Sequence, residues 1–262
     1  MALLLREAHT EALAAKALEV HRRLCAGYKR PIPFFSDHDP LSQLVGNLLS
    51  HRSKNHHTGR AFRAPLERFG TWEAVQNAPV EAVQEAIQGV TWPEQKAPRI
   101  QAMLREITRR VRKLELDFLG QMTIPQARHW LERLSGVDPK TSAATLLFSR
   151  LRMPALPVDS HHRVALRLGL LPEGTPVGPA HSLLEQFLSQ NWSAQQVYDH
   201  HEVFMLHGKR CCYFHDPACK RAWCSSCARS GNGGSPRPRA ADPIPLAPNR
   251  LGRCPGVERC GA

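Results

Sequence analysis

Nine residues, Leu134-Ser-Gly-Val-Asp-Pro-Lys-Thr-Ser142, constrain the fold more than any other stretch of the chain. Gly136 closes one helix, because glycine reaches the left-handed backbone of a C-terminal cap without a Cβ clash. Asp138 is suited to the N-cap of a second helix and Pro139 to its first position, where a missing N–H costs nothing. Two helices joined this tightly must fold back on each other as a hairpin. Lys140 then falls in the first turn of the second helix.

The remaining apolar pattern is helical throughout. Leu13, Ala17, Val20 and Leu24 recur at helical spacing, which predicts an amphipathic helix over about 6–25. Asp39 and Pro40 open a second, with Leu41, Leu44, Val45, Leu48 and Leu49 on one face. Similar signals predict helices at Trp72 to Val75 behind a Thr71 cap, at Pro79 to Ile87 and at Lys96 to Val111. Pro125 opens another, and Thr141 to Leu151 follows the hairpin. The last three are expected at Ser160 to Leu168, His181 to Leu188 and Ala194 to Leu206, with Gly208 as the stop. Strand-like alternation is missing, so the expected class is all-α.

The formal net charge is +12, which points to a polyanion and first of all to nucleic acid. No apolar run approaches the roughly 18 residues of a membrane helix, and Met1 to Leu5 is too short for a signal-peptide core. The chain is therefore expected in the cytoplasm, where clustered cysteines serve metals more often than disulfides. Five of its eight cysteines lie between Cys211 and Cys227. From Ala228 onward Arg, Gly and Pro make up half of the residues and aromatics are absent, so this tail is expected to be disordered. His51, His56 and His57 match no ligand spacing and read as a solvated or DNA-facing surface.

The dipole at the start of the hairpin's second helix opposes an ammonium, and a neutral lysine is the nucleophile of Schiff-base chemistry; the Asp138 carboxylate acts in the opposite sense. Taken alone, Lys140 is equally an ordinary surface lysine. Asp159, in Val158-Asp-Ser-His161, reads as a helix N-cap whose rigid carboxylate could also stabilise positive charge on a sugar or accept a proton from an attacking amine.

Leu134 to Lys140 together with Val158 to His161 resembles the helix-hairpin-helix and downstream aspartate of the endonuclease III family of DNA glycosylases with AP lyase activity. Leu48-Leu-Ser50, Gly89 to Ala97 and His207-Gly208 add to the resemblance, which spans roughly residues 10 to 219. It implies two helical domains, one of about residues 36–153 and one made of 1–35 with 154–227, and double-stranded DNA bound by a monomer in the groove between them. It further implies removal of a damaged base, an oxidised pyrimidine by analogy, and strand cleavage by β-elimination through an imine on Lys140, with Asp159 as the essential carboxylate. Arg52 matches the side chain that fills the gap left by the extruded base, and Gly136, Val137, Asp138 and Thr141 match the hairpin that meets DNA. The alternative is a non-catalytic DNA-binding protein that kept the fold.

Two departures stand out. The family hairpin reads Gly, apolar, Gly and holds a phosphate on backbone N–H groups, whereas here Asp138 replaces the second glycine and Pro139 has no N–H. Weaker DNA affinity is the expectation. The family also holds a [4Fe–4S] cluster, and Cys212 with Cys219 matches its first interval, but the last two ligands would fall at Ala222 and Ala228 while Cys224 and Cys227 stand nearby. Cys212, Cys219, Cys224 and Cys227 still supply four thiolates; their spacing suits iron–sulfur or zinc, and only the resemblance favours iron. Back-translating Ala222 to Ala228 with one T placed in front restores Cys, five apolar residues and Cys. This predicts that the residues from Ala222 onward are a shifted reading of the gene.

Overall fold

The computed structural model describes residues 2–28, 30–188, 191–215 and 218. These form eleven α-helices and one 3-10 turn, with no strand among the described residues, so the chain is all-α. The helices are α1 (Ala2–Gly27), α2 (Pro40–Ser50), α3 (Asn55–Phe69), α4 (Trp72–Asn77), α5 (Val80–Ala86), α6 (Pro93–Val111), α7 (Ile124–Glu132), α8 (Pro139–Phe148), α9 (His161–Arg167), α10 (Val177–Gln186) and α11 (Ala194–Arg210). The expected tail and the reading frame after Ala222 lie outside the described residues.

Several boundaries follow the chemistry read from the sequence. Asp39 caps α2 by accepting from Ser42 N at 2.9 Å, Thr71 caps α4 by accepting from Ala74 N at 3.2 Å, and Pro40 takes the first turn of α2. Others differ. Helix α3, which the sequence did not announce, begins within the polar stretch expected as surface, where Arg52, Lys54 and His56 are exposed, and it buries Ala61 while Phe62 and Leu66 pack at the edge of the core. Gly208 does not stop α11, which continues to Arg210. A Cβ at Gly208 would stand 2.7 Å from Ser160 Cβ, so this glycine serves the close approach of α11 to the start of α9.

Two buried apolar clusters divide the described residues. One draws on positions from Leu41 to Ala155, including Leu44, Leu48, Ile100, Met103 and Leu131. The other joins α1, through Val20 and Leu24, to the later helices, through Val164, Tyr198 and Phe204. Helix α8 belongs to both: Ala143 and Leu146 face the first, Ala144, Leu147 and Phe148 the second. Every residue from Thr141 to Phe148 is buried, so this helix has no solvated face. Its polar side chains are accordingly paired, with Asn47 Nδ2 donating to Thr145 Oγ1 at 3.0 Å and Ser142 Oγ donating to Glu132 at 2.7 Å. A helix gripped on all sides holds its N-terminal turn, and hence Lys140, at a fixed place on the surface.

Candidate active site

The hairpin is built as its sequence dictates. Gly136 has φ 83°, and Val137 N returns to Leu134 O at 3.2 Å. Asp138 caps α8, its carboxylate accepting from Thr141 N at 2.7 Å. Burial works to raise this carboxyl, but the hydrogen bonds from Thr141 and the charges of His51 and Lys140 prevail and hold its pKa below the ordinary aspartate value. On the next residue but one, the Lys140 ammonium forms an ion pair with the Asp159 carboxylate, a residue nineteen positions away.

Asp159 is not the N-cap of α9. Ser160 occupies that position, without a side-chain cap hydrogen bond, and Asp159 stands one residue earlier. Its carboxylate is therefore free of backbone duty and turns to Lys140. Both side chains are about two-fifths exposed, at 38% and 40%, so the pair is open to an incoming molecule.

Beside the pair lies a cleft of about 370 Å³, lined by Leu48, His51, Arg52, Trp92, Gln95, Lys96, Arg99, Ile100, Asp138 and Lys140. The cleft wall is a cross-braced pair of strained turns. Arg52 and Trp92 both take left-handed backbone, with φ 54° and 57°, which costs a non-glycine residue of order 1–3 kcal/mol. The Arg52 guanidinium lies over the Trp92 ring at 5.6 Å. Thr91 ties the two turns together, its N–H donating to Ser53 Oγ at 3.0 Å and its hydroxyl to Arg52 O at 2.9 Å.

Lys96 is the residue that the sequence did not single out. It is 6% exposed, and its ammonium donates to Leu49 O at 2.7 Å, His51 O at 2.8 Å and Ser53 Oγ at 3.0 Å. One buried cation thus closes the end of α2 and fixes the turn that carries Arg52. Burial, aided by the charge of Arg99, brings its pKa down to about 8. Replacing it by Met takes a donor from all three acceptors, leaving His51 O only the long bond from Ser53 Oγ at 3.4 Å, and Lys96→Met is expected to lower unfolding stability by about 2–4 kcal/mol in a denaturant titration. An unchanged midpoint would show that water replaces the ammonium.

The other hairpin residues expected at a DNA surface behave differently. Thr141 is 1% exposed, with its N–H on Asp138 and its hydroxyl 3.0 Å from His51 Nε2. Val137 is 7% exposed and packs in the first core. Both brace the turn from inside, because the hairpin docks its apolar side on α2 and α6. Burial lowers the pKa of His51; the charge of Asp138 opposes this, and those of Lys140, Lys96 and Arg99 reinforce it.

No family model matches the chain. Among curated proteins it is 26% identical over 200 residues to endonuclease III of Thermotoga maritima, covering 74% of this chain and 87% of that one. It is 24% identical over 181 residues to endonuclease III of a Synechocystis species, covering 69% and 76%. In sequence this chain is similar to the endonuclease III proteins. An Arabidopsis thaliana protein named as a DNA glycosylase is 27% identical over 158 residues, 60% of this chain and 54% of that one, so the match spans about half of that relative's length. An endonuclease III solved in a non-covalent complex with DNA superposes with a TM-score of 0.68 at 19% identity over 82% of this chain and 95% of that one. A thermostable thymine-DNA glycosylase gives 0.65 at 17% identity, over 86% and 97%. At these identities the solved structures establish the helix-hairpin-helix glycosylase fold.

Against the endonuclease III pattern of cysteines, only Cys212 falls among the described residues; Cys219, Cys224 and Cys227 lie outside them. Cys212 is buried just past α11, with the Arg167 guanidinium 3.3 Å from its sulfur and Arg163 Nε donating to its carbonyl at 2.9 Å. Among the described residues no group of three or more His, Cys, Asp or Glu could hold a metal. No helix among them is long and apolar enough to cross a membrane.

Proposed function

We propose that this chain is a base-excision DNA glycosylase with an AP lyase step, acting on a damaged base extruded from duplex DNA. The observation that carries this reading is the ion pair of Asp159 with Lys140, which lines the cleft. It brings a primary amine and a carboxylate together where a sugar can reach both. In the proposed reaction Asp159 takes a proton from Lys140 Nζ, and the neutral amine attacks the sugar C1′. The C1′–N bond breaks, and the base leaves with the bonding electrons and takes up a proton. The attacking nitrogen gives up a further proton, and its lone pair expels O4′, which takes up a proton. The protonated imine so formed acidifies the adjacent C2′–H, so that loss of that proton expels the 3′ phosphate. The Asp159 carboxylate also opposes the positive charge that develops on the sugar. In this reading Arg52, braced by Trp92 and Thr91, fills the gap left by the extruded base. By analogy with relatives, the preferred lesion is an oxidised pyrimidine.

A [4Fe–4S] cluster would be held by Cys212, Cys219, Cys224 and Cys227. The part of the donor set that the structure describes suits it, since the guanidinium beside the Cys212 sulfur complements the negative charge of a ligating thiolate. Bound there, a cluster would tie Cys212 to the later cysteines. Arg163 and Arg167, which grip Cys212, Tyr213 and Phe214 through their carbonyls, would carry that order into α9, directly behind Asp159.

Borohydride trapping tests the reading. The full chain, incubated with an abasic duplex and sodium borohydride, is expected to give a covalent protein–DNA adduct, because only an imine is reduced to a stable amine. Failure to form the adduct under conditions where the duplex is bound would leave a DNA-binding protein without the lyase. A second expectation concerns the altered hairpin. Asp138→Gly removes a negative charge from the DNA side and is expected to tighten binding to an abasic-analogue duplex at fixed salt. Glycine is itself a serviceable N-cap, so the stability cost is expected to be only a few tenths of a kcal/mol. Equal affinities of variant and parent would refute the account of the hairpin as a weakened phosphate clamp.

A further inference from the structure

The hairpin raises a question that the proposed reaction does not answer: what holds the DNA backbone at this point. Its own donors are largely committed. Val137 N–H goes to Leu134 O, Thr141 N–H to the Asp138 carboxylate, Ser142 N–H to Asp138 O, and Pro139 has none. With these three donors committed and Pro139 lacking an N–H, the turn has fewer backbone donors to offer a phosphate.

A cation from another helix lies across it. Arg99, on the second turn of α6, runs its side chain over Gly136 so closely that a Cβ there would stand 2.6 Å from Arg99 Cδ, 3.3 Å from Cγ and 3.4 Å from Nε. Gly136 is thus required twice, by its positive φ and by the arginine that uses the space a side chain would fill. Arg99 itself is exposed, lines the same cleft as Lys140, and makes no ion pair among the described residues. Other cations nearby are engaged: Lys140 with Asp159, Lys96 with carbonyls, Arg52 with Trp92. A guanidinium presents a planar fork of N–H donors suited to two phosphate oxygens at once.

We infer that Arg99 is the phosphodiester-binding residue of this hairpin, taking over from the helix of α6 the contact that Asp138 and Pro139 remove from the hairpin backbone. The inference rests on the reading of the chain as a DNA-binding protein. In this arrangement Gly136 serves as the floor on which the arginine stem lies, and Asp138 keeps its cap without facing the phosphate alone. The hairpin still docks on the DNA backbone, but by a side-chain fork in place of a backbone cradle.

The test is equilibrium binding of the full chain to a fluorescent duplex carrying a tetrahydrofuran abasic analogue, which is bound but not cut, across a series of salt concentrations. Arg99→Ala is expected to weaken binding about tenfold at fixed salt and to reduce the slope of log K against log salt by about one, the signature of one lost phosphate contact. Arg99→Lys is expected to keep most of the slope and recover part of the affinity, since it retains the charge without the fork. Combining Arg99→Ala with Asp138→Gly is expected to shrink the Arg99 penalty, because both changes act on one phosphate. Thermal unfolding of each variant checks that the exposed substitution leaves the fold intact. Unchanged affinity and slope in Arg99→Ala would overturn the inference, and an equal Arg99 penalty with Asp138 or Gly at position 138 would overturn its placement at the hairpin. A parent chain that fails to bind the duplex even at low salt would overturn the DNA-binding reading itself.

Discussion

Lys140→Gln is expected to abolish the borohydride-trapped adduct on abasic DNA while leaving binding to the uncleavable abasic-analogue duplex within a few fold of the parent. The reason lies in position. Lys140 is the second residue of α8, its side chain is 38% exposed, and its one recorded partner is Asp159. An exposed ion pair contributes about 0–1 kcal/mol, so its removal leaves the fold in place. The amine, by contrast, has no substitute, because glutamine cannot form an imine. Asp159→Asn separates the two roles further. The amide preserves size and can accept from Lys140, but it can neither take the proton nor oppose a developing cation. Trapping is expected to slow by about 10²–10⁴-fold, the range that a positioned acid or base supplies. An adduct that persists in Lys140→Gln would identify another amine as the nucleophile. A rate unchanged in Asp159→Asn would reduce that residue to a structural partner.

Acid is expected to destabilise the protein steeply, through histidines that the fold buries in neutral form. His161, His200 and His201 gather around Phe204, with ring centroids of His161 at 4.9 Å from His201 and 5.3 Å from Phe204. Burial is the first cause of the lowered pKa of each; His201, His200, His181 and Lys140 add to it for His161, and His21 and His201 for His200. His201 is brought to about 4 although Pro157 O and Asp159 favour its charged form, and His21 and His181 also reach about 4. A folded-state pKa below the unfolded one means that the unfolded chain binds more protons between the two. Stability is therefore fully present above pH 6.5 and is lost as the pH falls towards 4. For His201 alone the shift from 6.5 to about 4 corresponds to about 3 kcal/mol. Urea midpoints are expected to drop markedly between pH 8 and pH 5. His161 is fully buried and its Nε2 has no hydrogen-bond partner, so His161→Phe removes one titrating ring and is expected to flatten that dependence. Midpoints independent of pH over this range would show that the rings are hydrated or already charged.

Much of the architecture is local and was readable from the chain. A cap, a first-turn proline and apolar residues three and four apart specify α2 without reference to the rest of the molecule, and Asp138 with Pro139 does the same for α8. Lys140 and Asp159 stood out only through the resemblance of their surroundings to a known family. Where local signals were weak or mixed, the reading failed. Helix α3 carries Pro65 inside it, lacks a side-chain cap and buries few apolar groups, so a stretch beginning with His, Lys and Asn looked like surface. Gly208 looked like a helix stop because a glycine after a long apolar stripe usually is one; its reason is Ser160, on another helix.

The sequence by itself determined the helical class and the hairpin, since these depend on residue type and on spacing along one element; Lys140 and Asp159 it singled out only through the resemblance to a known family. The tertiary structure alone decided that Asp159 leaves the cap to Ser160 and turns to Lys140, and that Thr141 and Val137 brace the turn from within. It also decided that Lys96 locks the Arg52 turn and that Arg99 lies over Gly136. Each of these joins groups on different helices, and such contacts are set by how the helices pack, which no periodicity within a single helix encodes.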